Sequence, residues 1–251
     1  MQKLSAVVIT LNEINYIKDC VKSISFADEI VIIDSFSTDG TWEYLQSLPH
    51  VQSSQHPFEN YTSQKNYALQ KASHNWVLFI DADEVIPPNL KNEILEILKS
   101  PQKDAYYIFR KFIMNGVPLK YCGFQTDKQL RLFNKENTFF EPERLVHERL
   151  ITSGTTGILK EKLDHHFYKS KEDYTRRILF YGQLKGKELF LKNKKPGFFV
   201  QKIKPAFKFF QKYIIRFGIL DGKNGYTISK INAKGVAERY KEVKRLRKQQ
   251  S

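Results

Sequence analysis

The stretch WVLFIDADE at residues 76–84 joins five uninterrupted apolar residues to three acids, Asp81, Asp83 and Glu84. A run that short, rich in aromatic and β-branched side chains, suits a strand buried on both faces. Carboxylates at its end fall on the carboxyl edge of a sheet, where open α/β folds hold their ligands. Asp81 and Asp83 lie two residues apart, so in extended backbone they share a face. Two carboxylates on one face repel unless something positive sits between them, and a hard divalent cation that also grips a phosphate would serve. Asp-x-Asp alone could equally start a loop that caps the next helix, so the flanking elements have to decide.

Those elements alternate. Residues 4–11 (LSAVVITL) form a first strand that ends at Asn12 and Glu13, and Ile17, Val21 and Ile24 follow at helical spacing. Residues 30–33 form a second apolar run that ends at Asp34. A Ser-Thr-Asp-Gly turn at 37–40 then leads into a helix from Thr41, with Trp42 and Leu45 on its core face. Val51 begins a short third strand, residues 61–72 read as a helix carrying Gln64, Lys65 and Asn66, and the acidic strand follows. Pro87-Pro88 opens a helix over 89–99 whose stripe is Leu90, Ile94, Leu95 and Leu98. This alternation predicts an α/β fold with a parallel sheet and helices on both sides. Three strands end in polar clusters, Asn12-Glu13, Asp34-Ser35 and Asp81-Ala82-Asp83, and in a parallel sheet the clusters converge on one rim. The convergence favours a ligand site over a helix cap.

From residue 105 the texture becomes antiparallel, with strands at 106–112 and 129–133. PERLVHERL at 142–150 then brings Glu143, His147 and Glu148, and LDHHFY at 163–168 brings His165 and His166. Adjacent histidines point in different directions in either helix or strand, so at most one serves a site. Residues 173–192 read as a helix packed through Tyr174, Ile178, Tyr181 and Leu189. Residues 198–217 carry an apolar stripe (Ile203, Phe207, Phe210, Ile214, Phe217) beside a basic one (Lys204, Lys208, Lys212, Arg216), the pattern of a helix lying at an interface. The same stripe would also suit a helix packed on the sheet with its lysines in water. A polar, basic helix from about Ser229 closes the sequence.

The 251 residues can bury a sizeable core, as one large domain or a domain with an appendage. Two cysteines without paired spacing point to a reducing compartment. MQKLSAVVIT lacks the apolar core and cleavage site of a signal peptide, and no stretch approaches the roughly 20 apolar residues of a membrane span. The net charge of +14 is uneven: residues 1–159 hold 16 basic and 19 acidic residues, residues 160–251 hold 25 and 8. The last part is therefore built to meet something anionic, whether a membrane surface, nucleic acid or a phosphorylated substrate. A nucleic-acid-binding protein is one rival reading, but aromatics that share one helix face are not arranged as a base-stacking platform. An Asp-x-Asp phosphohydrolase, with Asp81 as nucleophile and Asp83 as acid, is another. Such enzymes carry the motif on their first strand, whereas earlier strands already precede it in this sequence.

LSAVVITLNE, EIVIIDSFSTDGT and WVLFIDADE, in this order and spacing, resemble the nucleotide-sugar-binding half of inverting family 2 glycosyltransferases. LVHERL, LDHHFYKSKEDY and IIRFGILDGKNGY resemble the branch that contains bacterial lipopolysaccharide-core β-glucosyltransferases. The resemblance implies a GT-A fold, a Rossmann-like, mostly parallel sheet flanked by helices, over residues 1–168. Within it, residues 1–104 would be the nucleotide-sugar half and 105–168 the acceptor half, with a basic helical extension over 169–251. It implies that Thr10, Leu11, Asn12 and Glu13 wrap the ribose and base, and that Asp34 holds the nucleobase or ribose. Ser35 stands where many members have a second acid. Lys65 would lie near the nucleotide, Asp81 by the ribose with Ala82 next to it, and Asp83 on a Mg²⁺ or Mn²⁺ ion that binds the diphosphate. Glu148 would be the general base, with Glu143 second, and His165 a further metal contact. The implied reaction moves a hexose, glucose above all, from a UDP-linked donor to a lipid-anchored saccharide. Such an enzyme would work in the cytoplasm, peripherally on the inner face of the cytoplasmic membrane, with no nucleic-acid partner.

Overall fold

A computed structural model describes residues 1–114, 116–141, 150–168 and 170–250. The chain divides into two units, Met1–Arg110 with Asp127–His166, and Lys111–Thr126 with Phe167–Ser251. The first unit opens with β1 (Leu4–Thr10), α1 (Ile14–Ser23), β2 (Glu29–Asp34), α2 (Thr41–Gln46), β3 (Gln52–Gln55), α3 (Tyr61–Lys71) and β4 (Trp76–Asp81). β3, β2, β1 and β4 lie side by side in that order and run parallel. The apolar runs of β1, β2 and β4 are continuous because helices cover both faces. Ala6, Val8, Ile30, Ile32, Leu78 and Ile80 share one cluster with Ile17 and Val21 of α1. The alternate residues Val7, Val31, Ile33, Val77 and Phe79 meet Ala68 and Leu69 of α3 on the other face. Each fully buried side chain of this kind stabilises the fold by about 1.5–3 kcal/mol.

After β4 come β5 (Glu84–Val85), α4 (Pro88–Lys99), β6 (Ala105–Met114), β7 (Val117–Leu119), β8 (Lys128–Asn134), β9 (Thr138–Phe140), β10 (Leu150–Thr152) and β11 (Thr156–Tyr168). α4 buries Leu90, Ile94 and Leu98 against the first face. β8 extends the parallel half antiparallel to β4, with Trp76 opposite Asn134, and β6 pairs antiparallel with β8 through an irregularity at Tyr106/Tyr107. β11 pairs with the two-residue β5, Asp164 opposite Val85 and His165 opposite Glu84. β9 and β10 make a separate small sheet. Asp81 and Asp83 do not share a strand face, because β4 ends at Asp81 and residues 82–83 turn before β5.

The second unit contains α5 (Lys171–Leu191), α6 (Phe198–Phe210) and α7 (Gly222–Gln250). Its core joins Phe112, Met114, Leu119 and Cys122 to Tyr174 of α5 and to Ile228 and Ile231 of α7. Tyr181, expected to pack, is exposed, and Gly182 and Gly186 are buried instead. The helices approach so closely there that a Cβ on Gly186 would lie 2.6 Å from the Arg239 carbonyl oxygen. The continuous helix expected over 198–217 also stops early. α6 ends at Phe210 and a wider π-helical turn, Gln211–Ile215, follows. In that turn Lys212 Nζ donates to the Cys122 carbonyl at 2.6 Å and sits 5.1 Å from the Phe124 ring centre. Lys208 Nζ turns to Gln211 Oε1 at 3.1 Å. Only Lys204 and Arg216 of the expected basic stripe are plainly exposed. α7 begins at Gly222, well before Ser229. Among the described residues no helix is long and apolar enough to cross a membrane.

Candidate active site

The parallel register brings the expected residues together at the strand ends. Thr10 is the partner of Asp34 across β1 and β2, and Ile9 is the partner of Asp81 across β1 and β4. The loops that follow are stitched to one another. Asn12 takes φ 57°, a left-handed conformation that asparagine tolerates better than most residues. Its amide donates to Ser37 Oγ at 2.8 Å, and its Oδ1 accepts from the Thr38 amide at 2.8 Å. The Glu13 amide donates to Thr41 Oγ1 at 3.0 Å. Asp34 is fully buried at the centre of the stitch. It accepts from the Ser37 amide (2.9 Å), Ser37 Oγ (2.5 Å) and Gln55 Nε2 (3.0 Å). Ser35 Oγ accepts from Gln64 Nε2 at 2.9 Å. Leu11 and Phe36 stay exposed beside these loops, and Phe36 takes φ 61°, a costly conformation for an aromatic residue. Phe36 was not singled out by sequence.

At the end of β4, Asp81 meets two cations. Arg131 Nη2 of β8 donates to Asp81 Oδ2 at 2.5 Å and to Glu84 Oε1 at 2.6 Å. Lys65 of α3 is buried with Nζ 3.9 Å from Asp81 Oδ1, and its ammonium lies 5.3 Å from the Phe140 ring centre and 5.8 Å from that of Phe79. Burial alone would raise the Asp81 carboxyl, but Arg131 and then Lys65 outweigh it and hold it well below the usual carboxylate range. Its side chain remains 32% exposed, so the anion keeps an open edge. Glu84 is wholly buried beneath. It accepts from the Asp81 amide at 2.9 Å and lies 3.7 Å from Arg110 Nη1. Burial pushes its carboxyl up, opposed by Arg131 and reinforced by the Asp81 charge. The negative charge of Asp81 and Glu84 is thus met by arginine and lysine side chains. Arg131 and Arg110 were not identified from the sequence. The signal was present in QLRLF, where a lone arginine between buried leucines demands an acid partner.

Asp83 points elsewhere. Its Oδ2 lies 3.4 Å from His165 Nε2, and its carbonyl accepts from the His166 amide at 2.8 Å. The His166 side chain stacks near Tyr16 instead, with ring centres 5.9 Å apart. A carboxylate oxygen and an imidazole nitrogen, side chains 22% and 11% exposed, suit an ion that takes its remaining ligands from phosphate and water. Among the described residues no group of three or more acids, histidines or cysteines forms a complete metal cage. Glu143, His147 and Glu148 lie outside the described residues.

A parallel sheet that gathers acids, a buried lysine and an arginine at its carboxyl edge is the architecture of an enzyme that binds its ligand in the crevice beyond the strands. The family model for glycosyl transferase family 2 matches residues 5–167, and the chain belongs to that family, with its GT-A fold. It is 29% identical to an uncharacterized glycosyltransferase of Rickettsia felis, over 93% of this chain and 86% of the relative. It is also 29% identical to the lipopolysaccharide core biosynthesis glycosyltransferase LpsC of Rhizobium meliloti, over 84% of this chain and 80% of that one. Among solved structures, S. aureus TarS 1–349 in complex with UDP aligns with a TM-score of 0.51 at 16% identity, covering 99% of this chain and 92% of that chain. S. aureus TarS aligns with a TM-score of 0.50 at 19% identity over 96% of this chain and 50% of that chain. These two likenesses speak for the fold.

Proposed function

We propose that this enzyme is an inverting hexosyltransferase that moves glucose from a UDP-linked donor to a hydroxyl of a lipid-anchored saccharide of the lipopolysaccharide core, at the cytoplasmic face of the membrane. The observation that carries the donor side is the meeting of Thr10, Asp34 and Asp81 at one sheet edge, with Lys65 and Arg131 fixed against Asp81. LpsC, whose name ties it to lipopolysaccharide core biosynthesis, supports the acceptor. The UDP bound to TarS supports the nucleotide. Another cell-envelope saccharide is the alternative acceptor.

In this reading residues 10–13 and Asp34 with Ser35 receive the nucleoside, and Asp81 accepts from the ribose hydroxyls through its open edge. Arg131 and Lys65 keep Asp81 ionised, so it can only accept hydrogen bonds. Asp83 and His165 would hold a divalent cation, which would offset the negative charge on the departing nucleoside diphosphate. Glu148, or failing that Glu143, would take the proton from the acceptor hydroxyl as it attacks the anomeric carbon from the opposite side. The phosphohydrolase reading has no support in this geometry: three strands, β1, β2 and β3, precede the one that carries Asp81.

The test is a thermal-shift panel of nucleoside diphosphates with and without Mn²⁺, since a ligand that binds only the folded state raises its melting temperature. UDP with Mn²⁺ is expected to give the largest shift. Equal shifts for all nucleotides, or none, would count against the donor assignment. Incubation with UDP-glucose and a deacylated core saccharide, read by mass spectrometry for a gain of one hexose, tests the acceptor.

A further inference from the structure

Residues 192–220 hold eight lysines and arginines and no aspartate or glutamate. Within this segment α6 buries no residue at all. Its better-covered side carries Gln201, Pro205 and Phe209, and the ring of Phe209 meets Tyr226 of α7 at 5.7 Å. The side turned to water is the more apolar. Phe199, Ile203, Phe207 and Phe210 are 76%, 60%, 55% and 48% exposed, and spacings of four, four and three residues set them in one row along the helix. The turn after α6 adds Ile219 and Leu220, both more than half exposed. A helix bathed only in water turns such a row toward the core, and a continuous exposed apolar row marks a contact surface.

The charge beside the row says what it contacts. Lys202 and Lys204 are exposed on the same helix. The half-buried Lys208 amine is pushed down in pKa by burial and then by Lys185, Arg239 and Arg216, so cations crowd this side of the unit. A second copy of the chain would cover the row only by bringing two strongly basic segments together. A nucleic acid would answer the charge and leave the aliphatic row wet. An anionic bilayer answers both, with phosphates for the lysines and the acyl boundary for the rings.

We infer that α6 and the turn after it dock in the interface of an anionic phospholipid bilayer, with Phe199, Ile203, Phe207 and Phe210 below the headgroups and Lys202 and Lys204 at the phosphates. The inference concerns the second unit alone. It is read by lipid binding without any sugar transfer, so it stands or falls separately from the donor and acceptor assigned above.

The experiment is co-sedimentation of the full chain with vesicles of phosphatidylcholine, alone or mixed with phosphatidylglycerol. The protein is expected to pellet with the mixed vesicles, to pellet weakly with phosphatidylcholine alone, and to be released as salt rises. Phe207→Gln with Phe210→Gln should weaken partition by about tenfold per ring, and Lys202→Gln with Lys204→Gln by about fivefold per charge. Circular dichroism and melting should stay those of the parent. If the aromatic pair lowers the melting temperature, Phe199→Gln at the start of α6 provides the same test. A parent that ignores the mixed vesicles, or an aromatic variant that binds them as well as the parent, overturns the inference. So does a dimer, or an oligonucleotide complex, that the aromatic variant abolishes while vesicle binding persists.

Discussion

His165 Nε2 stands 3.4 Å from Asp83 Oδ2 because His165 is the register partner of Glu84, the residue that follows Asp83. A two-residue strand, β5, thereby fixes an acid of the turn after β4 against an imidazole from β11. If this pair holds the cation, the two residues should fail in the same way. Asp83→Asn keeps the shape and removes the charge. It should abolish the Mn²⁺-dependent part of the UDP thermal shift and lower turnover by about 100-fold or more. His165→Ala should weaken the same Mn²⁺ dependence and leave the metal-free melting temperature close to the parent's. Full metal stimulation in the Asp83→Asn protein would remove the assignment.

Arg131 bridges the half-exposed Asp81 and the buried Glu84 through a single nitrogen, so its loss leaves the two acids facing each other beside Lys65 and Arg110. Arg131→Met should destabilise the protein by about 3–5 kcal/mol at neutral pH. The pH dependence should also change: Glu84, already pushed up by burial in the parent, loses the arginine that opposes that rise. In the parent, Asp81 is held below its unfolded value of about 3.9, so its contribution is complete above that value and disappears only in strong acid. In the variant the two carboxyls would titrate above their unfolded values, and stability should fall as pH rises from acid toward neutral. Urea unfolding at pH 5 and pH 8 reads this directly. A deficit that is the same at both pH values would mean the arginine serves packing alone.

Close approach of α5 and α7 rests on glycines. Gly186→Ala would set a methyl 2.6 Å from the Arg239 carbonyl oxygen and 2.7 Å from the Glu242 Cβ. Alanine is favoured over glycine in a helix by about 1 kcal/mol, yet overpacking against backbone should outweigh that and leave a net loss of about 1–3 kcal/mol. Gly197→Ala, at the N-cap of α6 with no atom within 4 Å of its Cβ, is the control and should cost no more than about 1 kcal/mol through the weaker cap, with no overpacking. Denaturation midpoints of the two variants should therefore move differently.

These examples show where the sequence was legible. The unbroken apolar run through Ala6, Val7 and Val8, repeated in β2 and β4, is a local pattern, and it foretold a sheet covered on both faces. The convergence of Thr10, Asp34 and Asp81 followed from parallel topology alone. Arg131 lies in another strand from Asp81, so the identity of the charge facing that acid could not be read from WVLFIDADE. The expectation that Asp81 and Asp83 share a strand face failed because the turn at residues 82–83 separates them. Helical periodicity placed Tyr181 inside because it ranks side chains by hydrophobicity, while the contact selected the smallest ones, Gly182 and Gly186. Lys208 and Lys212 were placed in an exposed basic stripe for a similar reason. A regular period carries no information about the π-helical turn or the Cys122 carbonyl that captures Lys212.

The remaining assignment is the base. The proposed inverting transfer would need a carboxylate on the acceptor side of the sugar, and the two candidates, Glu143 and Glu148, fall in a segment outside the described residues, between β9 and β10. Their roles separate kinetically. A base acts on the acceptor hydroxyl and not on the nucleotide, so Glu148→Gln should leave the UDP–Mn²⁺ thermal shift nearly intact. Turnover should drop by about 100-fold or more, the usual scale for losing general-base catalysis. The residual rate should also lose its dependence on pH through the acid range, because the group whose deprotonation it reported is gone. Glu143→Gln should change turnover far less. If the two variants exchange these behaviours, Glu143 is the base. If both also lose the thermal shift, the two acids serve the structure of the donor site, and the base must be sought among other acids.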